Sequence, residues 1–188
     1  KGLNPSETTI AEVLKEEGYA TACIGKWHLG DHPDFMPTNH GFDSYFGIPY
    51  SNDMNRKTVP LPLVRDLTVI EDSVQKDTTI TARYTEEAVS FIKKNSKKPF
   101  FLYFPHTAVH LPLVPGKRFK GTSENGPYGD WVQEIDWSMG ELFKALKQEG
   151  IDENTFVLFT SDNGSAREKD GSNLPLRGRK GRTDEGGM

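Results

Sequence analysis

Three runs of consecutive apolar residues, each of strand length, dominate the hydrophobic pattern of this chain. They lie at residues 19–24, 99–104 and 155–160. Strands that are covered on both faces of a sheet have continuous apolar runs of this kind, whereas half-exposed strands alternate between apolar and polar residues. We therefore expect three buried strands, and we expect residues 99–104 to form a central one.

Amphipathic helices are predicted before each of these strands. Apolar residues recur at spacings of three and four within residues 7–18, 79–95 and 128–148, which is the spacing of one helical face. Gly18 and Gly150 are suited to end the first and third helices. The expected core-facing positions are Ile10, Val13, Leu14, Ile80, Tyr84, Ala88, Phe91, Ile92, Val132, Ile135, Met139, Leu142 and Leu146. This repeated order of helix and strand predicts a layered α/β fold.

Residues 31–76 show no sustained periodicity and contain several prolines and aromatic residues. An irregular segment of this length inside a compact domain is usually functional or disordered. The aromatic content of its first half argues against disorder there. Within its second half, residues 59–70 are expected to form a short hairpin.

The length and net charge of the chain exclude several classes of function. The chain has 188 residues, a net charge of −4 and no apolar run long enough for a membrane span. One domain is the default for this length, and nucleic-acid binding, which favours a basic surface, is not expected. The single cysteine, Cys23, excludes an internal disulfide and a multi-cysteine metal site. Its position inside the first apolar run predicts a buried side chain.

Polar residues follow each predicted strand. They are Lys26 and His28, then His106 and His110, and finally Asp162 and Asn163. If the strands are parallel neighbours, these residues meet at one edge of the sheet and form a single site. The carboxylate and amide oxygens of the last pair suit calcium or magnesium, but two ligands are too few for either ion. The same pair could equally form a simple Asx turn.

Several of these segments resemble signatures of the sulfatase family. Residues 18–30, GYATACIGKWHLG, resemble its second signature, and residues 160–164, TSDNG, resemble its metal motif. Residues 179–187, RKGRTDEGG, resemble its Lys-Gly…Glu-Gly-Gly element. Residues 47–53, GIPYSND, resemble a loop of the branch that contains arylsulfatase A and N-acetylgalactosamine-6-sulfatase. The resemblance implies an alkaline-phosphatase-like fold with a largely parallel or mixed central sheet. It identifies residues 1–188 as an incomplete catalytic domain.

The resemblance also implies a role for particular residues. The expected catalytic residues are Lys26, His28, His110 and Lys180. The residues expected to contact the substrate sulfate are Ser51, Lys26, His110 and Lys180. Calcium, in preference to magnesium, is expected to bind Asp162 and Asn163. In the family, the histidine that corresponds to His28 holds and deprotonates the nucleophile. His106 does not fall on a signature position.

Two family features are missing from the sequence. Sulfatases use a formylglycine nucleophile, made from the cysteine or serine of a Cys/Ser-x-Pro/Ala-x-Arg motif, and they have an early Asp-Asp metal pair. The chain contains neither, and the residues after Cys23 do not fit the motif. Both features are expected upstream of Lys1, so this chain alone is expected to have no sulfatase turnover.

Two other functions stay open at this stage. One is a non-catalytic module that binds sulfated glycans, for which the missing nucleophile would be genuine. The other is a phosphodiesterase or phosphonate hydrolase of the same fold. In the sulfatase interpretation, the partner is a sulfated small molecule or glycan.

Overall fold

A computed structural model describes residues 2–54, 60–166 and 171–188. The helices and strands in these ranges are α1 (Ile10–Glu16), β1 (Ala20–Lys26), β2 (Ser44–Ile48), β3 (Leu63–Arg65), β4 (Thr68–Glu71), α2 (Ile80–Asn95), β5 (Phe100–Tyr103) and α3 (Gly126–Gln148). Short 3-10 helices lie at Pro33–Phe35, Pro37–Asn39 and Asp152–Asn154. Within the described ranges, no helix has the length and apolar character needed to cross a membrane.

The strands form one mixed sheet in the order β4-β3-β2-β1-β5. β1 is parallel to both of its neighbours, with Ala22 opposite Ser44 of β2 and Ala20 opposite Phe100 of β5. β2, β3 and β4 pair in antiparallel fashion. This arrangement confirms the predicted α/β class and the mixed sheet.

Helices cover both faces of the sheet, which gives the layered architecture. Ala22 and Ile24 of β1 pack into a core with α2 and α3, whereas Cys23 packs on the opposite face with Ala11 of α1. Successive residues of a strand point to opposite faces. The continuous apolar run of β1 is therefore explained by the two cores that it serves.

The three predicted helices are present, with differences at their ends and faces. α1 begins three residues later than expected because Thr9 caps it, in a capping box with Glu12. The expected buried stripe of α2 is confirmed at four of its five positions, and Phe91 is partly buried. The prediction of core-facing side chains was wrong for Ile10 and Val13 of α1, which are 64% and 49% exposed, and Ala11 is buried instead. It was also wrong for Val132 of α3, which is 44% exposed, and the neighbouring Trp131 is buried instead.

The prediction of a buried strand at residues 155–160 was wrong. These residues have no regular secondary structure, and Phe156 and Leu158 are 90% and 75% exposed. An apolar run becomes a strand only where a neighbouring strand accepts and donates its backbone hydrogen bonds. Among the described residues no strand pairs with this segment. For the same reason β5 is an edge strand of this sheet and not the expected central one.

The long irregular segment contains more structure than its sequence suggests. β3 and β4 confirm the predicted hairpin, apart from residue 59, which lies outside the described ranges. β2 was not predicted, because Ser44–Ile48 is short and has no clear alternation. It nevertheless supplies the second parallel neighbour of β1 and thereby places the loop that follows it beside the end of β1.

Close backbone contacts at Gly25 hold the end of β1 against the segments around it. Gly25 has φ +130, and a Cβ atom at this position would lie 2.0 Å from the carbonyl oxygen of Pro105. A Cβ atom on Gly47 of β2 would lie 1.7 Å from the carbonyl oxygen of Gly25. Only glycine permits both the left-handed conformation and these approaches.

Gly25→Ala is therefore expected to lower the free energy of unfolding by about 2 kcal/mol, because backbone strain and a steric clash coincide. Urea denaturation would measure the change. Gly140→Ala is the matched control, since Gly140 lies in α3 with nothing near its Cβ position. That substitution should be neutral or slightly stabilising. Equal effects at the two positions would contradict the packing argument.

Candidate functional site

The turn after β1 is fixed between the ends of its two parallel neighbours. The backbone N–H of Lys26 donates to the carbonyl oxygen of Pro105, after β5, at 2.8 Å. The N–H of His28 donates to the carbonyl oxygen of Pro49, after β2, at 3.0 Å. His28 has φ +60, a conformation that few non-glycine residues adopt. The first predicted pair of site residues thus has a defined position.

The His110 imidazole is held by contacts to its Nδ1 atom. Nδ1 lies 2.9 Å from the carbonyl oxygen of Leu111 and 3.2 Å from the hydroxyl oxygen of Ser51. A carboxylate oxygen of Asp53 lies 3.8 Å away. Because a carbonyl oxygen only accepts, the first contact requires a hydrogen on Nδ1. In the tautomer in which Nδ1 donates to this carbonyl oxygen, the free lone pair of the neutral ring lies on Nε2.

The segments that contain Asp162 and Lys180 are joined to each other. The N–H of Lys180 donates to the carbonyl oxygen of Ser165 at 3.2 Å. A Cβ atom on Gly164 would lie 1.7 Å from the carbonyl oxygen of Gly186. The turn that follows residues 155–160 and the glycine-rich C-terminal segment therefore pack together through their backbones.

Electrostatic coupling links Lys26 to charges from three other segments. Burial lowers the pKa of the Lys26 ammonium group below its usual value, and Lys180 lowers this pKa further. Asp162 and Asp53 oppose the shift, since negative charge stabilises the protonated lysine. Residues that are far apart in sequence thus act on one ammonium group.

His28 belongs to the same set of charges. Its pKa is lowered mainly by burial and also by Lys26, His110 and Lys180, while Asp53 raises it. An imidazole with a pKa below the usual 6.5 is largely neutral at pH 7. The Nε2 atom lies 3.1 Å from the sulfur of Met54. His28 is therefore available to accept a proton at neutral pH.

The predicted site residues, with one exception, line the same cleft of about 2060 Å³. Those that line it are Lys26, His28, His110, Asp162, Asn163 and Lys180. Ser51 is the exception, because its side chain is only 1% exposed and contacts His110 instead. The cleft is thus lined by the turns after β1 and β5, by the turn after residues 155–160, which are not a strand, and by the C-terminal segment.

Asp53 is a site residue for which the sequence gave no role. Its carboxylate approaches His110 and affects the pKa of both Lys26 and His28. The signal for it was present, since Asp53 ends the same short loop as Ser51. What the sequence lacked was the fold of that loop, which turns the carboxylate toward the histidines.

His106 and Cys23 are less suited to chemistry at this site. Both ring nitrogens of His106 are buried without a hydrogen-bond partner among the described residues, and its ring packs 4.3 Å from that of Phe104. Burial lowers the pKa of His106 to about 4. Cys23 is fully buried, and burial raises the pKa of its thiol well above the usual value. It is the buried small side chain that the sequence predicted.

Asp162 and Asn163 offer oxygen atoms of the kind that calcium prefers. Asp162 is exposed and Asn163 is half-buried. Calcium takes about six to eight oxygen ligands, so these two side chains alone would leave its coordination incomplete. The described residues contain no cluster of three or more histidine, cysteine or acidic side chains that could hold a metal. The donor chemistry fits calcium, but further ligands are required.

Asp53→Asn is expected to lower the pKa of His28 further, because it removes a negative charge that favours the imidazolium ion. The shift can be measured by NMR titration of the imidazole protons. Asp136→Asn, an exposed site on α3, is the matched control. If His28 acts as a base, the acid limb of the pH–rate profile should also move to lower pH. A raised His28 pKa in the variant would contradict the assignment.

The sequence is similar to that of known proteins. A family model described as Sulfatase matches residues 1–188. N-acetylgalactosamine-6-sulfatase from Homo sapiens is 41% identical over 203 residues, covering 100% of this chain and 39% of that protein. Arylsulfatase A from Homo sapiens is 36% identical over 213 residues, covering 100% of this chain and 42% of that protein. The chain spans about two fifths of the length of these relatives.

The fold is also similar to the folds of solved structures. The crystal structure of PsFucS1 sulfatase from Pseudoalteromonas sp. matches with a TM-score of 0.84 at 31% identity, covering 98% of this chain and 44% of that chain. The crystal structure of Ps i-CgsB in complex with k-i-k-neocarrahexaose matches with a TM-score of 0.84 at 30% identity, covering 100% and 47%. The extent of the family match and the identity to the relatives lead to one conclusion. This chain belongs to the sulfatase family.

Proposed function

We propose that the gene product containing this chain hydrolyses sulfate esters of aryl or carbohydrate substrates. The observation that carries the proposal is the convergence of two lysines and two histidines at one cleft, beside a pair of oxygen donors. Residues 1–188 would form part of the catalytic domain. The name of the relative N-acetylgalactosamine-6-sulfatase refers to a sulfated amino sugar, which supports a carbohydrate sulfate as the substrate.

Lys26 and Lys180 would bind the sulfate group. Cleavage of a sulfate ester develops negative charge on the oxygen atoms of the reacting group, and preorganised cations stabilise that charge. The lowered pKa of Lys26, caused by its burial and by Lys180, supports this role. Two cations held close together are electrostatically unfavourable until an anion lies between them.

The two histidines would move protons. His28 is largely neutral at pH 7 because its pKa is lowered, so it would take the proton of the nucleophile. His110 would contact the sulfate and exchange a proton through Nε2, because its Nδ1 is committed to the Leu111 carbonyl. Ser51, although expected to contact sulfate, is better placed to orient His110, and Asp53 would do the same.

Asp162 and Asn163 would supply two of the calcium ligands, and the others would come from outside the described residues. When bound, the ion would act as a Lewis acid that polarises the sulfate oxygens. The formylglycine nucleophile is likewise expected from polypeptide outside residues 1–188. The 188-residue chain alone is accordingly expected to be inactive.

The test is an assay of the gene product against a generic aryl sulfate and a panel of sulfated monosaccharides. Sulfate release would support the proposal. Release of an alcohol and a phosphate monoester from phosphodiesters, without sulfate release, would favour a phosphodiesterase of the same fold. Binding of sulfated sugars without any hydrolysis would favour the non-catalytic module. Either of the latter results would overturn the proposed function.

A further inference from the structure

The backbone of the segment that contains His110 is held by the side chain of Asn52. Residues 108–112 follow β5 and consist of turns and bends. The carbonyl groups of this segment accept hydrogen bonds from one other part of the described chain, and both bonds come from Nδ2 of Asn52. This nitrogen donates to the carbonyl oxygen of Pro112 at 3.2 Å and to that of His110 at 3.4 Å. One amide group thus joins two backbone positions of the segment.

The amide of Asn52 is suited to this contact. Its NH2 group has two hydrogens, one for each carbonyl oxygen, and a carbonyl oxygen can only accept. Asn52 is 3% exposed, so solvent has little access to either bond. Its own backbone is also fixed, because its carbonyl oxygen accepts a hydrogen bond from Nε2 of Gln75 at 3.1 Å. A buried donor on a fixed backbone can therefore hold the segment in one place.

The two carbonyl groups that Asn52 binds come before and after the Leu111 carbonyl group in the chain. The Leu111 oxygen lies 2.9 Å from Nδ1 of the His110 ring. Because the groups on both sides of it are fixed, the direction of the Leu111 oxygen is restricted. The hydrogen bond at one nitrogen of an imidazole decides which nitrogen carries the hydrogen. Asn52 therefore acts on the His110 ring through the backbone.

The loop that contains Asn52 also contacts His28. The backbone N–H of His28 donates to the carbonyl oxygen of Pro49 at 3.0 Å. Nε2 of the His28 ring lies 3.1 Å from the sulfur of Met54. Pro49 and Met54 belong to the same short loop as Asn52, one on each side of it. This loop thus contacts both histidines of the site.

We propose that Asn52 is a positioning residue, which fixes the His110 ring relative to the His28 ring and maintains the tautomer of His110 that has its hydrogen on Nδ1. Its effect on catalysis rests on the proposed function, in which these two histidines move protons. A misplacement of a reacting group by about 1 Å can lower the rate about 10²-fold. One buried amide can therefore affect the reaction without contact with the substrate.

Kinetics with a matched asparagine variant tests the role in catalysis. Asn52→Ala should lower kcat of the gene product for an aryl sulfate about 10²-fold. Asn95→Ala is the control, since Asn95 is 4% exposed and its Nδ2 donates to the carbonyl oxygen of Phe91 at 2.8 Å within α2, outside the cleft. Both variants lose the hydrogen bonds of a buried amide, so both should have a lower melting temperature. A decrease in kcat of less than about tenfold for Asn52→Ala, or an equal decrease for Asn95→Ala, would overturn the proposal.

The tautomer of His110 gives a measurement that does not depend on catalysis. At a pH where the ring is neutral, the nitrogen NMR resonances of His110 in the unmodified gene product should show hydrogen on Nδ1 alone. In Asn52→Ala they should show a mixture of both tautomers, because the Leu111 oxygen is no longer fixed. Asn95→Ala should keep the spectrum of the unmodified protein. An unchanged His110 spectrum in Asn52→Ala would contradict the proposal.

A measurement on the unmodified gene product covers the case in which Asn52→Ala does not fold. The side-chain amide hydrogens of Asn52 should exchange with water at least about tenfold more slowly than those of exposed asparagines, because burial and hydrogen bonding protect them. Exchange at the rate of the exposed side chains would overturn the proposal. Absence of sulfate release by the unmodified protein would instead overturn the proposed function, and the two NMR measurements would still decide whether Asn52 positions the His110 ring.

Discussion

Lys26→Met is expected to lower kcat/KM of the gene product for sulfate esters about 10³-fold, the size of effect seen when one preorganised group that stabilises developing charge is removed. That loss corresponds to ~4 kcal/mol of transition-state stabilisation. The position of Lys26 explains this expected loss. Its backbone N–H donates to the carbonyl oxygen of Pro105, just after β5, and its ammonium group interacts electrostatically with Lys180 and Asp162. Methionine keeps much of the length and apolar character of the side chain.

Steady-state kinetics on an aryl sulfate would measure the effect. Lys15→Met is the matched control: Lys15 lies in α1, where it forms an ion pair with Asp43 at 2.8 Å, and it does not line the cleft. Its loss should change kcat/KM by less than about twofold, as expected for an exposed ion pair remote from the chemistry. A Lys26→Met enzyme within tenfold of the unmodified one would remove Lys26 from the proposed mechanism.

The stability of the Lys26→Met variant separates chemistry from misfolding. Burial lowers the pKa of Lys26, so the fold disfavours its positive charge. Replacement by an uncharged side chain should therefore leave the melting temperature unchanged or raise it. A variant that loses activity while keeping or gaining stability is the signature of a residue retained for function.

The limits of the sequence prediction are clearest in the apolar runs. Residues 19–24 and 155–160 look alike in sequence, yet only the first lies in a strand. Hydrophobic pattern reports the tendency to be buried, whereas a strand also needs a hydrogen-bonding neighbour. β1 has two such neighbours, one of which, β2, was itself too short and irregular to predict. Pairing is a property of the whole fold, and it is not encoded in a local run.

The sequence indicated which side chains line the cleft, but it did not indicate the contacts that support them. The sequence placed Lys26, His110 and Asp162 at strand ends that would meet, because parallel neighbours share one carboxyl edge. That reasoning holds for the turns after β1 and β5, whereas Asp162 follows a segment without regular secondary structure. The contacts of Ser51 and Asp53 with His110 depend on a loop whose path no periodicity describes. Motif spacing therefore identified the residues that face the cleft, and the structure was needed for those that position them.

Acidification from pH 6.5 toward 4 is expected to destabilise the protein by up to about 3 kcal/mol through His106 alone. Burial lowers the pKa of His106 in the folded state to about 4, against about 6.5 in the unfolded chain. Between these values the unfolded state binds more protons, so the free energy of unfolding falls as pH falls. Urea denaturation across this range would measure the slope.

His106→Leu isolates this contribution, because leucine is apolar and does not titrate. The variant should lose stability less steeply than the unmodified protein between pH 6.5 and 4. It should also be more stable at pH 7, since it no longer buries two ring nitrogens that have no hydrogen-bond partner among the described residues. Comparison of the two proteins is necessary because burial also lowers the pKa of His28 and raises the pKa of Glu134, so these groups add to the pH dependence of stability. Parallel pH profiles for the two proteins, or an NMR titration midpoint of His106 near 6.5, would show that its ring is accessible to protons in the folded state.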